Sequence, residues 1–171
     1  TVIDIDRFKA GNDQRGHLYG DKVLTRVASL LPQSLRGKDD FAARFGGEEF
    51  VVVLPQTSQR SALIVAERIR KLVEVAGSPA VEAAEPGTVM PTTVSCGVAT
   101  CLPGEGYCIE DLLEAADKAL YEAKRSGRNR VCSGEVTTSG GTHRAQEMSA
   151  TRIGAQSESN LRATARKVPW G

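Results

Sequence analysis

Apolar and polar positions change period several times along the chain, and each change marks an element. Residues 1–6, Thr-Val-Ile-Asp-Ile-Asp, alternate with period two, which predicts a strand ending in acids. Residues 7–17 are polar and contain Gly11, Asn12, Asp13 and Gly16, so a loop or a broken helical turn is expected there. Val23, Leu24, Val27, Leu30 and Leu31 then recur at helical spacing, with Asp21 near the start and Pro32 as the stop. Phe41, Ala43 and Phe45 alternate, as do Phe50, Val52 and Leu54; Gly46-Gly47 between them reads as a two-residue hairpin turn. Ser58 is placed to cap a long helix carrying Ala62, Val65, Ala66, Ile69, Leu72 and Val73, with Gly77 just past its end.

Residues 78–91 are loop-rich, with Pro79, Pro86, Gly87 and Pro91. Residues 92–100 read as a strand in which Gly97 marks a bulge or a close backbone approach. Ile109, Leu112, Leu113, Ala116, Leu120 and Ala123 mark another helix, ended by Gly127. Its first turn holds Glu110 and Asp111 and its last Lys124 and Arg125, as the helix dipole favours. Residues 130–132 suit a last short strand. The order β-α-β-β-α-β up to Thr100 is that of an α+β ferredoxin-like fold: an antiparallel sheet carrying helices, here with an extra C-terminal helix and short strand. Residues 133–171 are rich in Ser, Thr, Gly, Ala and Arg without a sustained period. Too little surface can be buried there to offset ordering entropy, so a domain over 1–132 and a disordered tail over 133–171 are expected.

Composition narrows the classes. With 171 residues, 40% hydrophobic and a net charge of +1, the chain suits one soluble domain with an appendage. Balanced charge gives no general attraction to nucleic acid or membranes. No window approaches the roughly 18 apolar residues of a membrane span. Cys96, Cys101, Cys108 and Cys132 form no CxxC pair, and the chain has only 2 histidines, so reduced thiols in a cytosolic protein are expected rather than a zinc site. The chain opens on Thr1 inside an apolar run, which reads as a fragment lacking its front.

Several residues could carry chemistry. Asp4 and Asp6 share one face of the first strand, opposite Ile3 and Ile5, and Glu48 and Glu49 follow the Gly46-Gly47 pair. A central first strand beside the hairpin would bring Asp4 near Glu48. Such a pair suits a hard divalent cation such as magnesium, which takes one or two carboxylates plus substrate phosphates; solvated acids at strand ends fit the spacing equally. The glycine pair serves a tight turn, and it would also let a nucleobase or phosphate pack on the backbone. Lys9 lies in the loop after the first strand. Lys124 and Arg128, four apart near the end of the last helix, could grip a polyphosphate or complement the helix dipole. Asn12 and Asp21 match the edge of guanine, yet taken alone they read first as turn former and helix cap. His17 reads as structural.

The combination is more specific than its parts. Asp4-Ile5-Asp6-Arg7-Phe8-Lys9, Asn12-Asp13, Gly16-His17 and Gly20-Asp21 together resemble the first signature of the GGDEF family of bacterial diguanylate cyclases. Arg44-Phe45-Gly46-Gly47-Glu48-Glu49-Phe50 resembles its defining motif in the GGEEF variant. The run from Thr93 to Ala99 resembles a later strand of the family, and the run from Ala116 to Lys124 with Gly127-Arg128-Asn129 its last helix. The resemblance covers residues 1–132.

That likeness implies a palm-like nucleotide-cyclase fold and a reaction in which two GTP condense to cyclic di-GMP with release of two pyrophosphates. Each domain would hold one GTP and face a second copy, in a homodimer. Asp4, the backbone carbonyl of Ile5, and Glu48 would hold magnesium, two ions per site, with manganese as an alternative. Glu49 would assist metal binding or deprotonate the attacking hydroxyl. Asn12 and Asp21 would recognise guanine, Phe8, Lys9, Lys124 and Arg128 would hold the triphosphate, and Gly46 and Gly47 would give the nucleotide room. A GTP- or cyclic di-GMP-sensing module without turnover is the alternative. The setting would be cytoplasmic, without nucleic acid as partner, in a parent protein with an upstream sensor or dimerisation module that could anchor it to a membrane.

Two departures follow. Many family members carry an inhibitory RxxD product site before the glycine pair. Asp40 matches its Asp, but Gly37 stands where the Arg is expected, and Arg36 with Asp39 makes an R-x-x-D one residue early. Weak or absent feedback inhibition is expected. The helical segment that precedes the family's first strand is also missing, which should strip packing from one sheet face and lower stability.

Overall fold

Strand β1 (Val2–Ile5) is buried on both faces because it lies at the middle of the sheet. The computed structural model describes residues 1–36, 39–77, 92–102 and 106–137. Along the chain follow α1 (Phe8–Arg15), α2 (His17–Leu30), a 3₁₀ turn (Leu31–Ser34), β2 (Phe41–Gly46) and β3 (Glu49–Val53). Helix α3 (Gln59–Ala76), β4 (Val94–Val98), α4 (Ile109–Arg125) and β5 (Val131–Ser133) complete it. The sheet order is β2-β3-β1-β4-β5. The β1–β3, β1–β4 and β2–β3 pairs are antiparallel, as expected. The extra strand β5 joins β4 in parallel, a direction the sequence reading left open. Helix α4 forms the crossover that such a connection requires.

Alternation in the strands divides the core. Ile3, Ile5, Phe50, Val52, Val94, Cys96 and Val98 point to one side and meet Val23, Val27 and Leu30 of α2 and Val65, Ala66, Ile69 and Val73 of α3. On the other side Val2 packs against Ala116 and Leu120 of α4. Gly97 faces that helix too. A Cβ added there would sit 2.0 Å from the Ala116 carbonyl oxygen, so the expected close backbone approach is real. The outer strands are less covered: Phe41 is 60% and Phe45 62% exposed, so alternation in β2 marked a strand without marking burial.

Local signals fare unevenly. Ser58 caps α3 by accepting the Ser61 amide, and Gly77 closes it. Cys108 and Asp111 form a capping box at the start of α4. Residues 8–15, expected as loop or broken turn, form the regular helix α1, which buries no residue and so carries no apolar period. Strand β5 reaches Ser133, and the Gly134 amide donates to the Val98 carbonyl at 2.8 Å. The expected loop over 78–91 lies outside the described residues, as does the expected tail from 138 onward.

Candidate functional site

Antiparallel pairing of β1 with β3 builds the centre of the site. It sets Asp4 opposite Glu49, and the Ile5 amide donates to the Glu48 carbonyl at 3.3 Å. Acids more than forty positions apart in sequence thus converge at the hairpin tip. The turn itself differs from expectation. Gly46 pairs with Glu49, so Gly47 and Glu48 are its central residues, and a register shift between Arg44 and Gly46 bulges the strand at Phe45. Only Gly47 of the glycine pair has positive φ, 48°. The Arg44 Nε donates to the Gly47 carbonyl at 2.9 Å and closes the turn. A Cβ added at Gly46 or Gly47 would meet nothing within 4 Å, so the backbone there is open to an approaching group.

Asp4 is only 6% exposed, and the Lys124 ammonium on α4 lies 2.8 Å from its Oδ2. Burial pushes the Asp4 carboxyl above its ordinary range; the Lys124 hydrogen bond and charge oppose this, while Glu48 and Asp6 reinforce it. Glu49 is pushed up as well, by burial first and then by Asp4, with Lys124 opposing and Asp117 and Glu48 adding to the rise. Asp117 is a neighbour that the sequence did not single out. It lies seven residues before Lys124, two helical turns away, and that spacing could have flagged it.

The donor chemistry fits a hard divalent cation. Carboxylates crowded into a partly buried space favour a positive charge between them, and Lys124 supplies only one. Among the described residues no three His, Cys, Asp or Glu side chains converge on one point. The side chains alone do not complete a metal cage; magnesium, which keeps waters and substrate oxygens in its octahedron, does not need one.

The remaining candidates are spread around this centre. Asp6 lies on the Asp4 side but is held by three bonds: its carboxylate accepts from Thr93 Oγ1 at 2.7 Å, Ser95 Oγ at 2.6 Å and the Asn129 amide at 3.0 Å. Asn12, on α1, is held against Gly20 of α2, where an added Cβ would lie 2.0 Å from its Oδ1. That Oδ1 is buried and has no hydrogen-bond partner among the described residues. Asp21 is the fifth residue of α2 rather than a residue at its start, because the helix begins at His17; its carbonyl accepts from Thr25 Oγ1. Asp21 and His17 are exposed. Phe8 is half-buried against the main core. Lys9 is exposed and sits on α1, not in a loop.

Lys124 and Arg128 do not share a helix face. Helix α4 ends at Arg125, and Arg128 follows in a turn with φ 64°, its amide donating to the Ala123 carbonyl. Arg128 lines a cavity of about 670 Å³ together with Asp6, Phe8, Tyr19, Thr93 and Asn129. Lys124, Asn12 and Asp21 are not part of that lining. In the segment matching the inhibitory motif, the Arg36 amide donates to Asp40 Oδ2 at 2.7 Å, and its guanidinium donates to Thr57 Oγ1 at 2.6 Å. Gly37 lies outside the described residues.

With the geometry in place, comparison with known proteins is informative. The chain is 46% identical over 130 residues to the response regulator PleD of Caulobacter vibrioides, covering 76% of this chain and 28% of PleD. It is 45% identical over 130 residues to diguanylate cyclase A of Treponema denticola, covering 76% of this chain and 33% of that protein. The chain thus spans about a third or less of the length of these relatives. Among solved structures, the GGDEF domain of DgcB from Caulobacter crescentus, in complex with c-di-GMP, superposes with a TM-score of 0.67 at 39% identity, covering 77% of this chain and 74% of that one. The active GGEEF domain of a diguanylate cyclase from Vibrio cholerae superposes with a TM-score of 0.65 at 38% identity, with 81% of each chain covered. Among the described residues no helix is long and apolar enough to cross a membrane. The family profile described as diguanylate cyclase, GGDEF domain, matches residues 1–130, and the chain belongs to that family.

Proposed function

We propose that this domain condenses two GTP into cyclic di-GMP and releases two pyrophosphates. The observation that carries the reading is the register of β1 against β3, which sets Asp4 opposite Glu49 and ties Ile5 to Glu48. In this reading the carboxylates of Asp4 and Glu48 and the carbonyl of Ile5 hold magnesium. The metal, when bound, lowers the pKa of the attacking hydroxyl and stabilises the departing pyrophosphate. Glu49 shares the Asp4 neighbourhood and carries a raised carboxyl pKa, so it suits a proton acceptor for the 3′-hydroxyl. Asn12 and Asp21 recognise guanine; the Asn12 amide, whose Oδ1 has no hydrogen-bond partner among the described residues, turns from its buried place against Gly20 to do so. Phe8, Lys9, Lys124 and Arg128 position the triphosphate, and the open backbone of Gly46 and Gly47 leaves room for the nucleotide.

One domain holds one GTP, so ring closure requires a second copy facing the first. Known relatives include forms bound to c-di-GMP, so a sensing role without turnover is the second reading. The substrate GTP suits a cytoplasmic setting, and a parent protein would supply an upstream sensor or dimerisation module. Product feedback should be weak, since Gly37 cannot supply a guanidinium.

The test is incubation with GTP and magnesium at rising protein concentration, followed by chromatography. Cyclic di-GMP with two pyrophosphates per product should appear, at a rate rising more steeply than protein concentration. It should vanish in folded Asp4→Ala and Glu48→Ala variants, and added cyclic di-GMP should slow it little. GTP binding without product supports the sensor; neither binding nor product refutes both readings.

A further inference from the structure

The turn after α4 carries an unusual backbone. Gly127 has φ 119°, and the next two residues, Arg128 at 64° and Asn129 at 46°, are both in the left-handed region without being glycine. Residues in that region hold their conformation only where surrounding contacts over-determine it, and such strain concentrates at functional sites. Here the contacts are dense and converge on Asn129. Its amide donates to Asp6 Oδ2 at 3.0 Å, and its Nδ2 donates to Glu74 Oε1 at 2.6 Å. The Arg70 Nη1 donates to Asn129 Oδ1 at 2.7 Å and to Glu74 Oε2 at 2.9 Å. Arg70 is tied in turn to Glu67 by two bonds, Nε to Oε2 at 2.9 Å and Nη2 to Oε1 at 2.8 Å.

Arg70 is only 8% exposed, and a buried guanidinium is expensive unless paired; here Nε, Nη1 and Nη2 all donate to side-chain oxygens. Asn129 and Arg70 hold the Glu74 carboxyl below the usual carboxylate range. Asp6 adds the Thr93 and Ser95 hydroxyls, so the residue after β1, the start of β4 with the residue before it, the C-terminal half of α3 and the turn after α4 are locked together. What this lock presents is Arg128, whose own amide is bound to the Ala123 carbonyl and which lines the cavity beside Phe8.

We propose that Arg70, Glu74 and Asp6 are positioning residues that act through Asn129 to fix Arg128 for the triphosphate. None of them needs to touch the nucleotide. This rests on the reading of Arg128 as a phosphate-binding residue given above.

A double-mutant cycle tests it, with affinity for magnesium and a non-hydrolysable GTP analogue measured by calorimetry on the full chain. Asn129→Gly is the informative variant. Glycine accepts positive φ without strain, so the turn can still form, but the side-chain clamps that hold it in one shape and keep Arg128 in place are lost. Glu74→Ala is the second, at a side chain already 44% exposed and so tolerant of truncation. Each should weaken affinity about tenfold with a thermal midpoint near that of the unaltered chain, and Glu74→Gln should restore most of it. Arg128→Ala should weaken affinity at least as much, and adding Asn129→Gly to it should have no further effect. Additive losses would show that Asn129 does not act through Arg128 and would overturn the proposal. An unchanged affinity in Arg128→Ala would instead overturn the phosphate assignment beneath it, a failure the cycle separates from the first.

Discussion

Replacing Asp4 by asparagine should abolish turnover while making the metal-free fold more stable at neutral pH. The loss of activity should be on the order of a thousandfold, the scale seen when a preorganised electrostatic partner is removed. The gain in stability follows from the sign of the Asp4 shift. Its carboxyl is raised above the ordinary aspartate value of 3.8, mainly by burial, so the native state binds the proton more tightly than the unfolded chain does. Ionisation therefore works against folding, and stability falls as pH rises from the unfolded value through the raised one. Asparagine keeps the shape and does not ionise. The Lys124 side chain, 32% exposed, can turn to water when its partner charge is gone. Melting in metal-free buffer should show a higher midpoint for Asp4→Asn at pH 7 and no gain below about pH 3.8. A lower midpoint at pH 7 would mean that the Lys124 ion pair outweighs the burial of Asp4.

The second large effect is expected at Gly97. An added Cβ would meet the Ala116 carbonyl oxygen at 2.0 Å and the Leu120 amide nitrogen at 2.4 Å. Both are backbone atoms of α4, so no side chain can rotate away and the helix itself must lift. Val2, Ala116 and Leu120 would lose their packing together. Overpacking a tight core costs about 1–3 kcal/mol and sometimes more, and a rigid backbone contact belongs at the upper end. Gly97→Ala should therefore lose roughly 3 kcal/mol, a large share of a typical domain's stability. Urea unfolding measures this directly. Since α4 carries Lys124 and Asp117, GTP affinity should fall with it. A midpoint unchanged from the parent would show that the helix can shift freely.

Elements with strong local grammar were legible in the sequence. Helix α3 has its Ser58 cap and an apolar stripe, α4 has acids at its start and bases at its end, and the β1 run alternates from Ile3 to Asp6. Helix α1 was not legible, because it buries nothing and leaves no period to read. The hairpin turn was displaced by one residue, because the bulge at Phe45 is a pairing event between strands. Asp6 could not be told from Asp4 by spacing. Its partners Ser95 and Asn129 are 89 and 123 residues away, and only folding shows that it is bonded to them. The acids of the site were visible as residues, while their convergence depended on strand order. Alone, Asp4 and Glu48 read equally as solvated ends; four motifs in family order imply roles for them.

The account stands on a divalent ion gripped jointly by Asp4 and Glu48. Its most direct test is Mn²⁺ binding followed by electron paramagnetic resonance, with and without a non-hydrolysable GTP analogue. The unaltered chain should take up Mn²⁺ in a nucleotide-dependent way, and Asp4→Asn and Glu48→Gln should each weaken that uptake by at least about tenfold. Uptake undiminished in both folded variants would contradict it.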